Sequence, residues 1–98
     1  MFIKVKKLNG KAKLPDRATA TSAGADLCAC IDDDVVLMPG DRKLIPTGLA
    51  IAVPTGYGGF VFARSGLSSK FGVSLANCVG VIDSDYRGEV KISVINHS

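Results

Sequence analysis

The strongest constraint on the fold of this chain is how often it is broken. Pro39-Gly40, Pro46-Thr47-Gly48 and Pro54-Thr55-Gly56 interrupt it at intervals of about eight residues, which leaves no room for ordinary helices in that stretch. Short strands fit between such breaks, and a succession of them predicts an all-β sandwich or barrel. The candidate strands are Phe2–Val5, Asp26–Cys30, Val35–Leu37, Lys43–Ile45, Leu49–Val53, Gly59–Ala63, Val73–Cys78 and Glu89–Ile95. One short helix is expected over Gly66–Lys70, with Ser65 as its N-cap and Gly72 as its stop. Repeats, low-complexity stretches and linkers are not found, so the 98 residues read as a single domain.

Such a chain buries only about 60–65% of its unfolded surface, so its stability margin is thin without a partner. Apolar residues make up 47% of it and Trp is absent, which suits a core of Val, Ile, Leu and Ala. The net charge of +3 is dispersed, and the cluster from Lys4 to Lys13 alternates with apolar residues like the outer face of a strand. That balance favours a small anionic ligand over a nucleic-acid groove, for which basic patches are denser. No apolar run reaches membrane-spanning length and no signal-peptide core follows Lys4, Lys6 and Lys7, so a cytoplasmic protein is expected.

Cys28, Cys30 and Cys78 cannot all pair, and they read as buried free thiols. Asp32-Asp33-Asp34 lacks the spacing of a calcium loop and reads as a solvated hairpin turn. The chain ends at Asn96-His97-Ser98 directly after an apolar strand, which predicts an unpaired sheet edge there.

Three segments carry more chemistry than a scaffold needs. In Ala23-Gly24-Ala25-Asp26-Leu27 a carboxylate stands at the mouth of a strand beside a flexible glycine. In Ala63-Arg64-Ser65-Gly66-Leu67-Ser68-Ser69-Lys70 a strand ends on a guanidinium and a helix opens. Free backbone N–H groups, the Ser65 hydroxyl and the Arg64 fork would there meet an anion. The third segment, Asn77 to Glu89, reads as a β-hairpin that gathers Asn77, Asp83, Asp85, Tyr86 and Arg87, with Gly80 baring the backbone to something flat. Asp85, Arg87 and Glu89 are expected to form ion pairs that hold the hairpin's shape.

Ala-Gly-Ala-Asp-Leu, Arg-Ser-Gly-Leu and Gly-Val-Ile-Asp-Ser-Asp-Tyr-Arg-Gly-Glu resemble, in order and spacing, the first three of five motifs of the trimeric dUTPase family. The resemblance runs from about Leu14 to Asn96. It implies a distorted jelly-roll (β-clip) fold, a homotrimer, and Mg²⁺-dependent hydrolysis of dUTP to dUMP and pyrophosphate. By resemblance, Asn77 and the backbone of Gly80, Val81 and Ile82 would pair with uracil, with Lys91 nearby, and the tight hairpin would leave no room for a 5-methyl group. Tyr86 would lie under the sugar and exclude a 2′-hydroxyl. Asp83 would hold the 3′-hydroxyl and orient a water for attack on the α-phosphorus. Arg64, Ser65 and Gly66 would bind phosphates across a subunit boundary, and Asp26 would order Mg²⁺ through water.

The family's fourth motif and its glycine-rich C-terminal arm are not found before Ser98. The expectation is therefore a chain truncated at its C-terminus or a degraded relative, with turnover impaired. Two rivals follow: a nucleotide-binding or protein-interaction module that has kept the pocket without turnover, and a relative of dCTP deaminase. The deaminase branch needs an acidic residue on the strand after the pocket, and Lys91-Ile92-Ser93-Val94 supplies none.

Overall fold

The computed structural model describes all 98 residues, Met1–Ser98. Seven strands and one helix follow in the order β1 (Lys4–Lys7), β2 (Arg42–Pro46), β3 (Leu49–Ala52), β4 (Gly59–Val61), α1 (Ser65–Phe71), β5 (Val73–Leu75), β6 (Gly80–Ile82) and β7 (Lys91–Asn96). They form three small antiparallel sheets, β1-β3, β2-β7-β5 and β4-β6. The architecture is all-β with one short helix, as the turn spacing predicts.

Several expectations fail in an instructive way. Asp26–Cys30 makes no strand; its backbone bonds are a bridge from Asp26 to Asp16 and a bond from the Cys30 N–H to the Pro46 carbonyl. Val35–Leu37 is not a strand either, because side chains take its carbonyls: Lys43 Nζ donates to Val36 O and Asn96 Nδ2 to Leu37 O. Asp32 is exposed and pairs with Lys11 at 2.8 Å, and no strands flank it to make a hairpin. Cys28 and Cys78 are exposed and Cys30 is half-buried, so the thiols are not core residues.

The helix starts one residue early. Arg64, in an extended conformation, is the N-cap, Ser65 is the first helical residue, and no side chain caps the end. Gly72 does stop it, in the left-handed conformation (φ 67°) with its N–H on the Leu67 and Ser68 carbonyls.

The last strand is not an edge. β7 lies in the middle of its sheet, with Arg42–Pro46 on one side and Val73–Leu75 pairing its far half, Val94–Asn96. Five of its six residues, Ile92–Asn96, are at least half-buried there, and only Lys91 is exposed.

The core is small. Val53, Ile82 and Val90 form its centre, with Leu27, Ile51, Val61 and Ile92 packed around them. Thr47 is buried with its hydroxyl satisfied: it donates to the Val90 carbonyl at 2.6 Å and accepts from the Leu49 N–H at 3.3 Å. This ties the Pro46-Thr47-Gly48 turn to the start of β7. Many large apolar side chains stay on the surface, among them Phe2, Leu44, Phe60, Phe62 and Val81. The accessible surface is 7000 Å². A compact monomer of this length would show about 5300 Å².

Candidate functional site

The site arises where one strand changes partner. The chain runs along β7 as β5, makes a last contact from the Ala76 N–H to the Ser93 carbonyl, and turns away through Asn77–Val79. It then pairs with β4 as β6, Val61 opposite Gly80 and Gly59 opposite Ile82. The expected Asn77–Glu89 hairpin is therefore not a hairpin. Its first arm pairs with β4, its second begins a strand already held by β2, and the two diverge. The turn between β5 and β6 is tight enough to place Cys78 at φ 67°, unusual for a residue with a side chain.

The gap between β6 and the near half of β7 is a cleft of about 240 Å³. Asn77, Gly80, Val81, Ile82, Asp83, Tyr86 and Lys91 all line it. Because β4-β6 has only two strands, the outer edge of β6 has no strand partner, so its N–H and C=O groups are free to read the edge of a flat ligand. A Cβ on Gly80 would stand 3.4 Å from Val61, 3.7 Å from Leu75 and 3.8 Å from the Asn77 amide, in ordinary contact with residues of the cleft wall.

Past Ile82 the chain braces itself. The Tyr86 N–H closes a turn on the Asp83 carbonyl at 3.1 Å, and Arg87 Nη1 donates to the Ser84 and Tyr86 carbonyls at 2.7 and 3.1 Å. Asp85, Arg87 and Glu89 form no ion pairs; the two in the chain are Lys11–Asp32 and Arg64–Asp26, so the Asp83 carboxylate is also unpaired. Glu89 Oε2 instead accepts from the Gly48 N–H at 3.1 Å, and its carbonyl accepts from the Tyr86 hydroxyl at 2.8 Å. Glu89 also lines the cleft, a position that a reading of neighbouring charges misses. No signal in the sequence points to Gly48 as its partner, 41 residues away.

Arg64, Ser65 and Gly66 are not brought to this cleft. The β4–β6 register shows why: beyond Val61 the chain runs past Gly80 towards position 77, whereas Asp83 leaves by the opposite end. Arg64 thus lies three residues beyond one end of this three-rung ladder and Asp83 one residue beyond the other, up to roughly 20 Å apart where the chain stays extended. Arg64 instead lies beside Asp26, 3.6 Å between Nη1 and Oδ2, and both line a second groove with Ser22, Leu67 and Val73. The Asp26 and Arg64 side chains of the first and second motifs are thus neighbours in a groove of their own, outside the cleft lined by the third.

No group of three or more His, Cys, Asp or Glu side chains gathers to cage a metal. The donors suit Mg²⁺ only as an ion that arrives with a polyphosphate and keeps its own waters, the usual habit of this cation. No helix is long and apolar enough to cross a membrane.

The dUTPase family model matches residues 10–98. The chain belongs to the dUTPase family. Deoxyuridine 5′-triphosphate nucleotidohydrolase of Syntrophotalea carbinolica is 54% identical over 95 residues, covering 97% of this chain and 65% of that protein. The enzyme of the same name from Desulfitobacterium hafniense is 60% identical over 85 residues, 86% of this chain and 56% of that one. The chain thus spans less than two-thirds of the length of these relatives. Among solved structures, a dUTPase from phage phi11 of S. aureus, described with a structural Mg(II) ion, superposes with a TM-score of 0.90 at 34% identity over all of this chain and 61% of that one. A Staphylococcus bacteriophage 80alpha dUTPase with dUpNHpp gives 0.89 at 35% identity, over 99% and 55%. The all-β fold of this dUTPase-family chain is accordingly that of the jelly-roll dUTPases.

Proposed function

We propose that the protein hydrolyses dUTP to dUMP and pyrophosphate, as a homotrimer with its sites at subunit boundaries. The observation that carries this reading is the cleft itself: an unpaired strand edge, an unpaired carboxylate and an aromatic ring, contributed by Gly80–Ile82, Asp83 and Tyr86 around one opening. The free edge of β6 and the Asn77 amide read the donor and acceptor pattern of uracil. Cytosine carries the reverse pattern and would leave buried polar groups without partners. Tyr86 fills the space that a ribose 2′-hydroxyl would need. Asp83 holds the 3′-hydroxyl and positions a water in line with the α-phosphorus, accepting its proton as the P–O bond forms and pyrophosphate leaves.

The phosphates need cations, and Arg64, with Ser65 and Gly66, stands too far from Asp83 to serve the same cleft. A neighbouring subunit's Arg64 would supply them. The small core and the excess of exposed apolar surface support such an assembly. Mg²⁺, when bound with the triphosphate, would neutralise charge on the leaving pyrophosphate. Asp26, beside Arg64, would orient one of its waters.

Pyrophosphate release from dUTP, dCTP, dTTP and UTP by the full-length protein tests the reading. Rapid release from dUTP is expected, with dCTP disfavoured roughly 10⁴-fold. No release from dUTP, or comparable release from dCTP, would overturn it.

A further inference from the structure

The position of Tyr86 depends on two residues that touch no nucleotide in the reading above. Its ring folds back over its own chain until the hydroxyl reaches the Glu89 carbonyl at 2.8 Å. The ring lies directly on Gly88. A Cβ built there would meet Tyr86 Oη at 2.6 Å, Cζ at 2.8 Å and Cε1 at 3.1 Å. An alanine at 88 and the ring in this place exclude each other. Since the obstructing atoms are the far end of a side chain, it is the ring that would yield and not the backbone.

Glu89 fixes the other side. Its carboxylate accepts from the Gly48 N–H at 3.1 Å, and the next residue, Val90, bonds to Thr47 and Leu49 on the same turn. That turn is closely packed. Gly48 is left-handed (φ 68°), and a Cβ there would meet Ala12 Cβ at 2.9 Å and Cys30 Sγ at 3.1 Å. The carbonyl that holds the tyrosine hydroxyl is therefore tied, through its own residue's side chain, to a closely packed turn elsewhere in the chain. Arg87, the obvious ionic partner, is occupied by the Ser84 and Tyr86 carbonyls.

We infer that Gly88 and Glu89 are positioning residues for sugar selection. Gly88 is the seat on which the Tyr86 ring lies, and Glu89 is the latch that sets its height against the cleft. The inference rests on the proposed role of Tyr86 in excluding a 2′-hydroxyl.

These 98 residues hold no Trp and two tyrosines, so Tyr57→Phe, with any Tyr or Trp of the full-length protein outside them also changed to Phe, leaves Tyr86 as the only strong intrinsic fluorophore. In that background, in the full-length protein, two quantities are measured: acrylamide quenching of Tyr86 fluorescence, and the ratio of kcat/KM for dUTP to that for UTP. Gly88→Ala should increase quenching and narrow the ratio by about 10-fold or more. Glu89→Gln keeps an acceptor for the Gly48 N–H and should match the parent in both. Glu89→Leu removes the acceptor and should move both quantities in the direction of Gly88→Ala. If Gly88→Ala does not fold, the Gln and Leu pair decides. Unchanged quenching in folded Gly88→Ala, or Glu89→Gln as impaired as Glu89→Leu, overturns the inference. A shift in quenching with an unchanged ratio also overturns it. Tyr86→Ala then tells where the fault lies: if it too leaves the ratio unchanged, the reading of Tyr86 has failed and not the seat.

Discussion

Asp83 stands at the end of β6 with a carboxylate that no cation in the chain engages. Such a group is free to accept hydrogen bonds, and replacing it by its amide keeps the shape while removing the proposed base. Asp83→Asn is expected to hold dUMP affinity within a few-fold and to lower kcat roughly 10²-fold or more, as measured by pyrophosphate release. Gly80 separates binding from folding. A methyl there meets nothing in the chain closer than 3.4 Å, but it stands among the residues of the cleft wall. Gly80→Ala should change unfolding free energy by less than ~1 kcal/mol and weaken dUMP binding by about 10-fold or more, as calorimetry would show. Asn77, Asp83 and Tyr86 are legible as a group in the sequence because they are close along the chain. Glu89 is not, since adjacency to Arg87 suggests an ion pair and only the fold brings Gly48 to it.

At the scale of elements, the Pro46-Thr47-Gly48 turn does more than reverse the chain. The Thr47 hydroxyl, buried between two backbone groups, binds the turn to β3 and to the residue before β7. Thr47→Val has the same shape and leaves the Leu49 N–H without its acceptor. It should cost about 1–3 kcal/mol in chemical denaturation, and near-neutral behaviour would show that the hydroxyl is not needed there. Turn residues make the strands predictable but not their partners. The sequence suggests one strand over Val73–Cys78 leading into a hairpin over Asn77–Glu89, yet Val73–Leu75 and Gly80–Ile82 belong to different sheets: β7 has β2 along one side, and Ala76 marks the point where the chain leaves the other.

For the whole molecule, the decisive quantity is the distance between cation and carboxylate. If each site combines Asp83 of one subunit with Arg64 of another, two inactive variants can rescue each other. Arg64→Ala and Asp83→Asn should each be nearly inactive alone. Co-assembled in equal amounts, they should recover about a quarter of the parent activity, since half the subunits offer each intact group and pairing is random. Recovery of nothing beyond the sum of the two would place both groups in one chain's site, against the strand register. Light scattering of the full-length protein should give the mass of three chains.

The sequence alone determined the spacing of turns, and with it the all-β class, because proline and glycine act locally and need no partner to do so. It also grouped the residues proposed to act on the nucleotide, since the third motif carries them within a few positions of each other. Only the tertiary structure decided that this motif opens a cleft between two sheets instead of forming a hairpin, that β7 is central, and that Arg64 sits with Asp26 and away from Asp83. Those outcomes depend on which strand edges find each other across long stretches of chain, and proline and glycine, which act locally, do not specify that.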